Sequence, residues 1–184
     1  MTHRIFIFAT AIVATTLLSC STPAPTPEPG MEVLKHGRNE EMQVTKAVDW
    51  KSYSKIILHN AQVEFRDNWR EDQERNYGVT IRDDELQIFK DSVSDQLSKV
   101  MVKRISEGGD YEITSEPGPG VMHFVPRVAD LDIRGPGWVQ NSILDSMVNS
   151  RGSMTLEMVI RDSVSNEVLA VACQDQDDPQ SGYM

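Results

Sequence analysis

IRDDELQIFKDSVSDQLSKVMVKRIS, residues 81–106, decides the fold class. Its apolar positions, Leu86, Phe89, Val93, Leu97, Val100, Met101 and Ile105, recur at spacings of three and four. That period puts them on one face of an amphipathic helix. Acidic Asp83, Asp84 and Glu85 suit the positive N-terminal end of the helix dipole, and Lys99, Lys103 and Arg104 suit the other end. Thr80 with Asp83 reads as a capping box with aspartate in the glutamate role, and Gly108 and Gly109 supply the stop. A helix with one apolar face needs a second layer to bury it against.

That layer reads as strands. Lys55 to Phe65 is rich in β-forming residues and predicts one long strand, with Ile57, His59, Ala61, Val63 and Phe65 sharing a face. Arg66 to Tyr77 is charged and irregular and reads as a loop carrying Trp69. Tyr111 to Thr114 predicts a short strand, PGPG at 117–120 a turn, and Val121 to Ile133 a longer strand. Pro126 cannot donate to a ladder and belongs at an edge or a bulge. Met154, Leu156, Met158 and Ile160 alternate with polar residues, DSVSNE turns the chain back, and Val168 to Cys173 is apolar on both faces, as a central strand should be. Ile143 to Val148 suits a short helical turn. The expected fold is α/β in the α+β sense: a mainly antiparallel sheet of about five strands with one long amphipathic helix on one face.

Ahead of this domain the composition changes sharply. MTHRIFIFATAIVATTLLS, residues 1–19, has one arginine and then an apolar run from Ile5 to Leu18, the layout of a secretory signal peptide. The run is short for a bilayer core of about 30 Å, which asks for roughly 20 apolar residues in a helix. Leu17, Leu18, Ser19 and Cys20 resemble the lipobox of bacterial lipoproteins, whose cysteine is acylated and becomes the new N-terminus. That class carries two or three acyl chains, enough for stable anchoring where one chain gives only marginal binding. Ser21 in place of an aspartate implies sorting to the outer membrane, facing the periplasm, ahead of the inner membrane. STPAPTPEPG, residues 21–30, has four prolines and reads as an extended linker at about 3.1 Å per residue. Met31 to Lys46 is polar and reads as weakly ordered. The expected organisation is a lipoprotein signal peptide over 1–19, lipidated cysteine and Pro-rich linker over 20–47, and a single envelope domain over 48–184.

The net charge is −10, and removal of Arg4 with the signal makes it more negative by one. Such a balance argues against nucleic acid and against bulk attraction to anionic lipid. With Cys20 acylated, Cys173 is left as a lone thiol, and in the run VLAVAC it reads as a small buried hydrophobe.

From Val48 onward the tracts VDWKSYSKIIL, FRDNW and GSMTLEMVIRDSVSNEVLAV, with PGP ahead of a long strand, resemble the bacterial domain-of-unknown-function family 3313, a group of small envelope lipoproteins. The resemblance implies an α/β sandwich and an envelope location, and it brings no catalytic residues. It also implies a closing helix after the last strand, for which the residues after Cys173 leave little room.

No catalytic, metal or cofactor signature emerges. Asp175, Asp177 and Asp178 lack the glycine and terminal glutamate of a calcium loop. His36, His59 and His123 lie far apart in the chain, and His59 and His123, on strand faces, read as satisfied core or rim residues. No nucleophile elbow or phosphate loop occurs. Trp50, Trp69 and Trp138 fall outside or at the ends of regular elements, and Trp69 and Trp138 stand as candidate partner-binding residues. Two functional readings follow. The first is a non-catalytic binding or scaffold module, held to the membrane through lipid on Cys20 and docking on an envelope protein or cell-wall material. The second is a small envelope hydrolase using the carboxylates Asp67, Glu71 and Asp72, which requires two of them to face each other across a pocket.

Overall fold

A computed structural model describes residues 30–46, 48–134 and 151–177. The segment 143–148 and Trp138, Cys20, the signal peptide and the residues after 177 lie outside the described residues.

The fold is α+β, as expected, but the sheet is larger and mixed. Its eight strands are β1 (Met31–His36), β2 (Glu40–Thr45), β3 (Lys55–Leu58), β4 (Gln62–Phe65), β5 (Glu112–Ile113), β6 (Val121–Arg134), β7 (Arg151–Asp162) and β8 (Val168–Asp177). Two helices, α1 (Trp69–Tyr77) and α2 (Asp83–Gly108), separate β4 from β5. The strand order is β1-β2-β8-β7-β6-β3-β5, with β4 also pairing β6. The strands from β1 to β6 along this path pair antiparallel, whereas β3 and β4 run parallel to β6, and β3 parallel to β5. The expectation of a mainly antiparallel sheet of five strands is corrected on both counts. Two adjacent parallel strands need a crossover, and the helices between β4 and β6 provide it.

Two of the additional strands come from residues 31–45, which read as weakly ordered. β1 and β2 form a hairpin closed by Gly37 N–H donating to the Glu40 carbonyl at 2.7 Å. β2 then pairs with β8, placing Val168–Asp177 inside the sheet, as its two-sided apolar pattern predicts. β1 is an edge strand, and a register irregularity between Val33 and Lys35, together with the Lys35–Glu40 ion pair at 2.7 Å, makes it a poor template for further pairing.

The predicted strand from Lys55 to Phe65 is two strands of opposite phase. Ile56 and Leu58 face the apolar side in β3, and Val63 and Phe65 in β4. The interruption lies opposite Pro126: β3 pairs with β6 up to Phe124, and β4 resumes at Arg127. With no N–H to give, Pro126 cannot continue the ladder on that side. β6 has its own phase shift. Met122 and Val128 are buried at even positions, and Leu131 and Ile133 at odd ones, with a register irregularity between them where Asp130 takes φ +50°. The irregularity behaves as a bulge, inserting one residue and keeping the apolar side chains on one face.

α2 forms where the period placed it. The Arg82 N–H donates to Glu85 Oε2 at 3.0 Å, so Glu85, and not Asp83, closes the first turn. Gly109 at φ +73° ends the helix. Phe89 and Val93 are buried against Val63, Val128, Leu131 and Ile133, with Leu97 at the border. The stripe runs on by fours through Met101 to Ile105, which joins a second cluster around Ile56, Met122 and Leu169. A step of four turns the stripe about 40° per helical turn, so Val100, expected in the core, falls off it and is 55% exposed.

The tract read as a loop, Arg66 to Tyr77, contains α1. Its contact with the core rests on Trp69 and Gln73, one turn apart and both buried. Trp69 stacks on Phe65 at 4.1 Å between ring centroids and donates Nε1–H to the Ile133 carbonyl at 3.1 Å. With the buried Trp69 and the exposed Tyr77 as the two apolar side chains in nine residues, α1 has no hydrophobic period to detect.

Gly152 sits opposite Ile133, and a Cβ there would come within 2.4 Å of the Asp132 carbonyl oxygen. Gly152→Ala is therefore expected to cost about 1–3 kcal/mol in chemical denaturation, because the obstacle is backbone. Phe89→Ala is expected to cost about 3–5 kcal/mol. Val100→Ala should stay within about 0.5 kcal/mol, since the side chain is largely in water.

Candidate functional site

The helix covers only part of one sheet face, and the rest of that face forms an apolar groove of about 550 Å³. Its floor is Met122 and Phe124 of β6, Ile160 of β7 and Val44 of β2. Its walls include Leu34 of β1, Trp50 in the turn before β3, and Tyr111 after α2. Concavity follows from register. Ala170 lies between Val44 and Ile160 across three adjacent strands, and Ala172 between Met42 and Met158. Small residues flanked by large ones lower the middle of the sheet. Among the lining residues Glu32 is the one that carries a charge. The size and lining suit an apolar ligand.

Alternation sends the neighbours of the groove floor to the opposite face, where Val125, Val159 and Val171 stand in register beside polar and charged side chains. There Arg127 binds Glu64 at 2.5 Å and Glu157 at 2.7 Å, and Arg127 and Glu157 are mostly buried. Hydrogen bonding from Arg127 holds the Glu64 carboxyl below its ordinary range, and the two carboxylates push the guanidinium upward. His59, just past β3, and His123 of β6 come together on this face, with Nε2 of one 2.8 Å from Nδ1 of the other. The two residues are 64 apart in the chain, and no spacing in the sequence joins them. Burial, then the charge of His59, lowers the pKa of His123. Near this pair Tyr53 donates its hydroxyl to Asp162 Oδ2 at 2.9 Å, and burial followed by that bond pushes the phenol up to about 12. Asp162 also accepts the amides of Val164 and Ser165 and is held below the usual carboxylate range.

The residues singled out from sequence fare differently. Trp69 is 2% exposed and serves the core, so its ring offers nothing to a partner. Trp50, set aside in the sequence reading, lines the groove. Asp67 and Glu71 are exposed, while Asp72 is held by Arg66 at 2.8 Å and Arg75 at 3.2 Å. None of the three lines the apolar groove, or the polar cleft between β4 and α2 around Gln62, Lys90 and Asp95. The facing carboxylates that the hydrolase reading requires are not found there. Cys173 is buried, as its sequence context suggests, but it is disulfide-bonded and not the lone thiol expected. Among the described residues there is no group of three or more His, Cys, Asp or Glu side chains placed to hold a metal, and no helix long and apolar enough to cross a membrane.

His123 is expected to titrate below the ordinary histidine value of about 6.5, as read by imidazole NMR. Because the folded pKa is the lower one, protonation costs stability as pH falls from that value through the folded midpoint. His59→Gln removes the neighbouring charge and is expected to move the His123 midpoint upward; an unchanged midpoint would leave burial as the sole cause.

The model of a family described as protein of unknown function (DUF3313) matches residues 35–180. No curated protein and no solved structure matches the chain.

Proposed function

The chain belongs to the DUF3313 family, and from that premise, which brings no activity with it, we propose a lipid-anchored envelope protein whose domain binds an acyl chain in its apolar groove. The anchor is the acylated Cys20, the membrane is the outer membrane on its periplasmic side, and the role is binding without catalysis. Leu17-Leu18-Ser19-Cys20 and the proline spacer behind it support the anchor.

The observation that carries the binding reading is the position of the groove relative to the tether. β1 begins at Met31, paired with Thr45, and the next residues along it, Glu32 and Leu34, line the groove. The ten residues between Cys20 and Met31 reach about 30 Å when extended. A groove at the foot of such a tether stays within reach of the bilayer surface. Its lining favours a lipid chain over a cell-wall glycan, which needs hydrogen-bond partners that Leu34, Met122, Phe124 and Ile160 do not provide. The acidic balance of the chain leaves membrane attachment to the lipid and not to charge.

Two measurements test the reading separately. Cell fractionation should find the wild type with membranes and Cys20→Ser in the soluble fraction; membrane retention of the serine variant refutes the anchor. Spin-labelled stearate added to the Cys20→Ser chain should quench tryptophan fluorescence, and most of that quenching should vanish in Trp50→Phe. Leu34→Glu, on an exposed groove wall, should weaken binding by about tenfold, roughly 1.4 kcal/mol. Quenching indifferent to both substitutions refutes the groove and leaves the anchor standing.

A further inference from the structure

We propose that His59 and His123 form a two-imidazole chelate for a divalent copper ion on the sheet face opposite the groove. The geometry comes from the fold. β3 runs parallel to β6 with Ile57 opposite His123, and the His59 amide donates to the Phe124 carbonyl at 2.9 Å. That register sets the two rings side by side, with centroids 4.9 Å apart. The facing nitrogens, Nε2 of His59 and Nδ1 of His123, are 2.8 Å apart.

This separation discriminates between metals. With metal–nitrogen bonds of about 2.0–2.1 Å, two ligands at a right angle lie about 2.8–3.0 Å apart, and two at a tetrahedral angle about 3.3–3.4 Å. The two nitrogens share a hydrogen bond, at a separation that a right-angle bite keeps and a tetrahedral one widens, and a bound metal takes the place of the shared proton. Square-planar nitrogen and oxygen sites belong to copper(II) and nickel(II), and copper stands highest in the affinity order of divalent ions. Water fills the remaining positions, because His59 is exposed and His123 half-exposed.

The surroundings permit a cation. Neutral imidazole is the ligand form. The carboxylate of Asp162 acts on His123 in the direction that favours positive charge. Arg161 is opposite His123 in register, but its guanidinium donates to the Asn166 carbonyl at 3.2 Å. Arg127, two residues along β6, is engaged by two carboxylates.

The test uses the full chain carrying His3→Gln, because an uncut Met-Thr-His amino terminus binds copper by itself. Copper(II) titration followed by electron paramagnetic resonance should give one site with hyperfine structure from two imidazole nitrogens. His59→Gln and His123→Gln should each weaken it about tenfold or more, and His36→Gln should leave it unchanged. Zinc should bind more weakly than copper. Equal copper binding in the His59→Gln chain overturns the proposal, as does loss of the signal in His36→Gln. Zinc binding tighter than copper overturns the choice of ion by bite. None of these results depends on the lipid anchor or the groove.

Discussion

Burial of Phe89, Val93 and Leu97 of α2 against β4 and β6 is the contact on which the rest of the molecule depends. It divides one face of the sheet into a covered half and an open half. Under the helix the sheet is an ordinary core. Beyond it the same face continues across β7, β8 and β2 as the groove. The helix can lie there because β3 and β4 run parallel to β6, a pairing that requires a crossover, and the helices supply that crossover.

The long strand β6 serves both partners by changing phase. On one side it pairs antiparallel with β7 along nearly its whole length, and on the other it takes β3 and β4 in succession. Pro126 interrupts the second ladder and the irregularity at Asp130 inserts a residue, so Met122, Phe124, Val128, Leu131 and Ile133 all reach the apolar face. The opposite face is the counterpart of that arrangement. Its charges are matched locally, with Arg127 between Glu64 and Glu157. A cation flanked by two carboxylates in a partly buried setting costs less to desolvate than three separate charges. The two faces thus offer different chemistry: one apolar and concave, the other carrying paired imidazoles and ion pairs.

Much of the core was legible from sequence and much of the site was not. The stripe through Phe89, Val93 and Leu97, the turn DSVSNE, and the central position of Val168 to Cys173 follow from residue patterns, and the family followed from the tracts that carry its resemblance. Residues 31–45 escaped because β1 and β2 are short and one of their faces is charged, although Met42 and Val44 alternate with Glu41 and Gln43 across from a Gly37 turn. α1 escaped because Trp69 and Gln73 alone hold it to the core. Trp69 went from candidate docking residue to buried anchor for the same reason.

The sequence by itself determined what depends on the backbone's own period: a long amphipathic helix, and an alternating strand followed by a central one. Only the tertiary structure decided which strands are neighbours. Neighbour choice fixed the parallel pairing, the groove lined from β1 to β6, and the meeting of His59 with His123 across 64 residues. The physical reason is that a one-residue shift in β4 or β6 sends every following side chain to the other face. Such shifts arise from the pairing of two strands at Pro126 and Asp130, and not from the period of either strand alone.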